Sequence, residues 1–262
     1  MKLPVGYDEV EVAGVQGFAI RNAESWMRDV LSSGATLWSW AATQASGTVL
    51  EGRGKVFSVP APSPGPDGRE RWVVRHYYRG GAVAAPLLGD RYLAVGRPRP
   101  VRELFSAHNA RARGIPTPAV VAGAVYSAGF WYRADLVTEQ IPDAADLAEV
   151  LFGANPANVD LEEALLATGV LVRNLEQRGI LHPDLNAKNV VLAPVGGELV
   201  AHLVDLDRCC ARAPGVPAPA YFMRRRLERS LRKFEHRTGQ ILPSDAWAVL
   251  RAGFVDNDET RT

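Results

Sequence analysis

The stretch His182-Pro183-Asp184-Leu185-Asn186-Ala187-Lys188-Asn189 constrains this chain more than any other. It is a polar loop between two apolar strips, Ile180-Leu181 and Val190-Val191-Leu192. Upstream, Leu161, Leu165, Thr168, Val172 and Leu175 recur at helical spacing and stop at Gly179, a natural C-cap. Downstream, Leu199 to Leu206 reads as a strand carrying Val204-Asp205-Leu206-Asp207, with Asp205 21 residues after Asp184. An aspartate, an asparagine five residues on and a strand-end aspartate form a donor set suited to phosphoryl transfer. The first carboxylate orients or accepts the proton of an attacking hydroxyl, and the asparagine turns back to hold Mg2+ beside the phosphates. Either half alone could be an ordinary loop asparagine or a strand-end turn; both together, in order, outweigh that reading.

The loop fits H-x-D-L-x-x-x-N, the catalytic-loop pattern of protein kinase-like enzymes. Pro183 stands where protein kinases commonly carry arginine, and Asp207 where the glycine of D-F-G would be. No A-P-E signature and no activation loop are visible between Asp205 and Tyr221. Two weaker signals lie upstream. Glu51-Gly52-Arg53-Gly54-Lys55 is either a Gly-rich turn whose amides approach phosphate or a plain hairpin turn. On Trp72-Val73-Val74-Arg75, arginine replaces the usual strand lysine, with Glu103 as its natural partner. The alternatives are a surface salt bridge, or Lys55 reaching in instead.

Organisation supports two parts. The first reads as strands with one inserted helix at Arg97 to Arg113. Its strands flank the turn Pro60 to Gly68 and form a hairpin of Val120 to Tyr126 with Phe130 to Glu139. The second is helical around a short strand pair, with a basic helix at Tyr221 to Arg237 and another at Ala246 to Phe254. The expected division is 1–141 and 142–262. The adjacent cysteines Cys209 and Cys210 cannot build a disulfide framework, the first residues lack a signal-peptide core, and no apolar run is long enough to span a bilayer. A cytoplasmic protein is expected, with surface attachment to a membrane open.

Charge is segregated. The 262 residues sum to a formal +1, which disfavours indiscriminate polyanion coating and a nucleic-acid partner. Yet residues 71–113 carry nine arginines against Asp90 and Glu103, and 221–237 carry seven basic residues against Glu228 and Glu235. Arg79, Arg91, Arg225, Arg226 and Arg229 are the candidate anion ligands; a solvated basic face is the plainer reading. Residues 135–163 are acidic, with eight Asp or Glu and no Lys or Arg. That pattern would suit a kinase acting on cationic small molecules of the aminoglycoside type. A kinase-like module that binds without catalysing is the third reading.

The chain resembles the lipopolysaccharide kinase family, and within it the kinases of 3-deoxy-D-manno-octulosonic acid (Kdo). The resemblance runs through Gly52-Arg53-Gly54, Val74-Arg75-His76-Tyr77-Tyr78-Arg79-Gly80-Gly81, Arg91-Tyr92-Leu93, Glu103 and Gly114-Ile115-Pro116-Thr117-Pro118. It continues through Tyr132 to Glu139, the His182 to Asn189 loop and Arg226 to Lys233. It implies an α+β, protein kinase-like bilobal fold with a β-rich N-lobe and a reduced α-helical C-lobe. It implies ATP and Mg2+ as cofactors, and phosphorylation of a Kdo hydroxyl, the 4-hydroxyl, on an anionic lipid A precursor at the cytoplasmic face of the inner membrane. On this resemblance Asp184 is the catalytic base and Asn189 and Asp205 are the metal ligands. Gly52, Arg53, Gly54, Lys55, Arg75 and Glu103 hold the nucleotide phosphates, and Glu139 and Ile141 belong to a hinge that holds adenine. No obligate protein partner is implied.

Overall fold

The computed structural model describes residues 2–44, 48–50, 56–78, 89–153 and 159–255. Gly52, Arg53, Gly54, Lys55 and Arg79 lie outside the described residues, as does the Arg79-Gly80-Gly81 run. The chain divides into two compact units, 1–105 with 118–140, and 106–117 with 141–262.

The first unit is built on an antiparallel sheet. Its strands are β1 (Tyr7–Val12), β2 (Val15–Ile20), β3 (Thr48–Leu50), β4 (Val56–Pro60), β5 (Arg71–His76), β6 (Tyr92–Leu93), β7 (Val120–Ala128) and β8 (Trp131–Glu139). The order is β1-β2-β7-β8-β5-β4-β3, with β6 added to β8. Two helices, α1 (Glu24–Ser32) and α2 (Leu37–Thr43), cover one face. They correct the expectation of strands with a single inserted helix. Both are amphipathic and short. Met27, Val30 and Leu31 of α1 and Leu37 and Ala41 of α2 are buried against Trp72, Val74 and Val137. Trp26 meets Trp40 and Trp72 edge-on at 4.9 and 5.0 Å. Such apolar burial gives each helix the tertiary support that seven to nine residues lack in isolation. Helix α3 (Arg99–Ala112) begins in this unit and ends in the second. Its Pro100 approaches β7 closely at Gly123, where a Cβ would sit 2.9 Å from the Pro100 Cβ and 2.6 Å from the Phe18 ring.

The second unit contains β9 (Ala145–Asp146), α4 (Leu147–Phe152), α5 (Leu161–Gln177), β10 (Ile180–Leu181), β11 (Val190–Val195), β12 (Glu198–Leu203), β13 (Cys210–Ala211), α6 (Ala220–Thr238) and α7 (Ser244–Ala252). Strands β11 and β12 form a hairpin over Gly196-Gly197, both at positive φ, which a two-residue turn of matching twist demands. Helix α5 is the spine. Leu165, Thr168, Leu171, Val172 and Leu175 are buried, Asp160 caps its start through the Glu163 amide (2.9 Å), and it crosses α7 where Gly169 faces Gly253.

Candidate active site

The loop from His182 to Asn189 joins β10 to β11, and its own polar groups fold it. Asn186 Nδ2 (2.8 Å) and Asn189 Nδ2 (3.1 Å) both donate to the carbonyl of Asp184. The Lys188 amide donates to Asn186 Oδ1 at 3.0 Å. The Asn189 carbonyl in turn accepts the Val204 amide (3.0 Å), which ties the loop to the segment leading into Asp205. His182 is buried and neutral in character. Its Nδ1 accepts the Asp184 amide (3.2 Å), so the proton sits on Nε2, facing the Val204 carbonyl at 3.4 Å. Burial depresses its pKa; this outweighs Asp205, the Val204 carbonyl, Asp184 and Asp207, which act the other way. Asn186 and Asn189 therefore anchor the Asp184 carbonyl, and His182 anchors its amide.

Asp205 follows β12 in the left-handed conformation (φ 61°, ψ 57°). A non-glycine residue held there costs about 1–3 kcal/mol, and such strain concentrates at functional sites. Asn189 gives its Nδ2 to the Asp184 carbonyl, which orients the side chain, and its Oδ1 has no donor among the described residues. The Asn189 amide oxygen and the Asp205 carboxylate are hard oxygen donors. Among the described residues no group of three or more His, Cys, Asp or Glu side chains could hold a metal by itself. Two protein oxygens, completed by phosphates and water, is the coordination habit of Mg2+, so the residues present fit that ion.

One oxygen of the Asp184 carboxylate, Oδ1, receives Arg226 Nε at 2.9 Å and Nη2 of the same side chain. Arg226, expected among the acceptor-binding cations, is thus paired with Asp184. Arg225 lies instead along Tyr221, donating to its hydroxyl (2.9 Å), and Arg91 and Arg229 are exposed.

In the first unit Arg75 on β5 pairs with Glu103 on α3. Tyr77, named from the sequence without a role at the site, donates its hydroxyl to the same Glu103 oxygen (2.6 Å), and its ring lies 4.8 Å from the Arg75 guanidinium carbon. Glu139 has no spare backbone donor for adenine. Its amide goes to the Ala119 carbonyl (2.9 Å), and its buried carboxylate accepts the amides of Asp67 (2.8 Å) and Arg69 (2.9 Å). That carboxylate pins the turn after β4. The sequence also missed a buried network at Asp135. His76 Nδ1 (2.5 Å), Tyr126 hydroxyl (2.7 Å) and the Trp38 amide (2.9 Å) converge on its oxygens, and Asp90 takes the other His76 nitrogen at 3.2 Å. The one signal for it was the position of His76 in the quoted run ahead of Arg79.

The model of the lipopolysaccharide kinase (Kdo/WaaP) family matches residues 40–252. This chain belongs to that family. A 3-deoxy-D-manno-octulosonic acid kinase of Haemophilus influenzae (strain 86-028NP) is 31% identical over 189 residues, covering 70% of this chain and 74% of that protein. The enzyme of the same name from Xanthomonas oryzae pv. oryzae (strain PXO99A) is 34% identical over 207 residues, covering 77% and 76%. Among solved structures, WaaP in complex with acyl carrier protein superposes with a TM-score of 0.50 at 17% identity, covering 88% of this chain and 86% of that one. The fold is therefore the kinase-like α+β fold of a lipopolysaccharide kinase, and the chain is an ATP-dependent kinase. The residues of the Asp184 loop and the Arg75–Glu103 pair all lie within the span the family model covers.

Proposed function

We propose that this kinase phosphorylates a Kdo hydroxyl, the 4-hydroxyl, on an anionic lipid A precursor. The observation that carries this is the likeness to two Kdo kinases over about three quarters of their length. The loop geometry supports it, because Asp184 is anchored on its backbone side and keeps one carboxylate oxygen open. The acceptor oxygen attacks the γ-phosphorus of ATP, the bond to the β,γ-bridging oxygen breaks, and ADP leaves. The acceptor proton passes to Asp184 Oδ2. Asn189 Oδ1 and the Asp205 carboxylate would hold Mg2+, which supplies neutralisation of phosphate charge. Arg75, steadied by Glu103 and Tyr77, would position the nucleotide phosphates together with the segment 52–55. Ile141 and neighbouring carbonyls would contact adenine.

The acidic stretch 135–163 lends little to a cationic acceptor. Asp135 and Glu139 are buried in hydrogen bonds, Asp146 and Asp160 cap helices, and Glu163 accepts the Leu199 amide (3.2 Å). No helix among the described residues is long and apolar enough to cross a membrane. Contact with an anionic lipid surface on the cytoplasmic side is proposed to run through Tyr221 and Phe222, 60% and 67% exposed, beside Arg225 and Arg229 at the start of α6.

The test offers purified protein, Mg2+ and labelled ATP a Kdo-lipid A precursor, free Kdo, a heptose-containing lipid and an aminoglycoside. Transfer to the first is expected, weakening as salt rises. Asp184→Asn should lower the rate about 10²–10⁴-fold. Transfer only to the aminoglycoside, or a rate indifferent to the substitution, refutes the reading.

A further inference from the structure

Helix α6 meets the catalytic loop at three points in step. The His182 amide donates to Met223 Sδ (3.4 Å), Arg226 holds Asp184 Oδ1, and the Ala187 amide donates to Ser230 Oγ (3.2 Å). Positions 223, 226 and 230 lie on one helix face, three and then four residues apart. Residues 182, 184 and 187 run along the loop in the same order. Beneath this face Met223, Leu227 and Leu231 are almost wholly buried, so the helix cannot rotate the contacts away without emptying its core positions.

Stability does not account for the Arg226–Asp184 pair. The side chains are 45% and 29% exposed, and such pairs contribute about 0–1 kcal/mol. Geometry does account for it. Two guanidinium nitrogens converge on Oδ1, and Oδ2 has no partner among the described residues. Its helix neighbours are engaged elsewhere: Arg224 donates to Glu176 Oε2 (2.6 Å) and Arg225 to Tyr221. We propose that Arg226 is a positioning residue for Asp184. By holding one oxygen it fixes the rotation of the carboxylate and presents Oδ2 to the acceptor hydroxyl. Arg226, one of three arginines of this helix named from the sequence as candidate anion ligands, is thus devoted to the base. This inference rests on the reading of Asp184 as the base.

The test compares Arg226→Gln, Arg226→Lys, Asp184→Asn and the double variant Arg226→Gln/Asp184→Asn, in the full chain, for kcat and for KM of ATP and acceptor. Loss of alignment of a reacting group costs up to about 10²-fold. Arg226→Gln should therefore lower kcat about 10–100-fold and leave both KM values within about threefold. Arg226→Lys should recover part of the loss. In the Asp184→Asn background Arg226→Gln should cause no further fall, because residues acting as one unit are non-additive. A raised acceptor KM at unchanged kcat would make Arg226 an acceptor ligand and overturn the proposal. A raised kcat would make the pair an inhibitory latch, and equal losses in both backgrounds would show action independent of Asp184; either overturns it. Full activity of Asp184→Asn alone would remove the base assignment itself, and shows in that variant without reference to Arg226.

Discussion

Three buried carboxylates of the first unit and Asp184 of the second are held differently. In the first, Glu103, Asp135 and Glu139 are at most 4% exposed and each is surrounded by donors: Arg75 and Tyr77, then His76, Tyr126 and the Trp38 amide, then the Asp67 and Arg69 amides. In the second, Asp184 is part exposed and only one of its oxygens is held. A buried charge is tolerable only when it is paired and hydrogen-bonded, so these carboxylates are committed to protein donors and shielded from a substrate. Asp135 and Glu139 fasten backbone amides and Glu103 holds the Arg75 and Tyr77 side chains, whereas Asp184 has one oxygen held by Arg226 and the other without a partner among the described residues. The histidines follow the same division. Burial works against a charged His76, but Asp135 and Asp90 outweigh it and raise its pKa. His182 is held toward its neutral form.

The sharpest way to break this comparison is to remove one carboxylate from each side. Asp135→Ala strands His76, Tyr126 and the Trp38 amide of α2. It should cost about 3–5 kcal/mol of unfolding free energy. Asp184→Ala should cost less than about 1 kcal/mol, as expected for an exposed pair. Denaturant titration of both variants measures the difference; equal losses would show that the two carboxylates are not used differently.

A packing substitution probes the other kind of interior. Where α5 crosses α7, a Cβ on Gly169 would lie 2.5 Å from the Leu250 carbonyl oxygen and 2.8 Å from the Gly253 Cα. Both contacts are backbone and cannot swing aside. Gly169→Ala should destabilise by about 1–3 kcal/mol, the usual penalty of overpacking. A neutral or stabilising result in thermal melts would mean that the helices separate without cost, and the second unit would not be packed as tightly as its geometry implies.

The smallest effect is the pH dependence of His76. Its folded pKa lies above the ordinary value of 6.5. Its contribution is therefore complete below 6.5 and is lost as pH rises through the folded value. The groups that face it are Asp135, Asp90, the Tyr78 ring (4.9 Å) and the Trp38 ring (6.1 Å). His76→Gln should flatten this alkaline decline in stability curves measured from pH 6 to pH 9. A decline of unchanged slope in the variant would assign it to another group.

Legibility in the sequence followed the range of each interaction. Helix α5, the β7–β8 hairpin and the 182–189 loop were readable because periodicity and turn chemistry act over a few residues. Helices α1 and α2 were not singled out, since short amphipathic segments depend on a sheet surface that the sequence does not display. The pairing of Arg75 with Glu103 was guessable, because Glu103 is the only acid in α3. The Asp135 network joins α2, β5, β7 and β8, which are distant in sequence, and only the position of His76 in the run ahead of Arg79 marked it.

By itself the sequence determined the kinase-like loop, its aspartate and asparagine, and the basic character of α6, because residue type and short spacing carry that information. The tertiary structure alone decided which charges are free to act. Seven basic residues within one helical segment look alike in a sequence. The burial of Met223, Leu227 and Leu231 sets the helix rotation, and that rotation gives Arg226 to Asp184 while leaving Arg229 exposed to water.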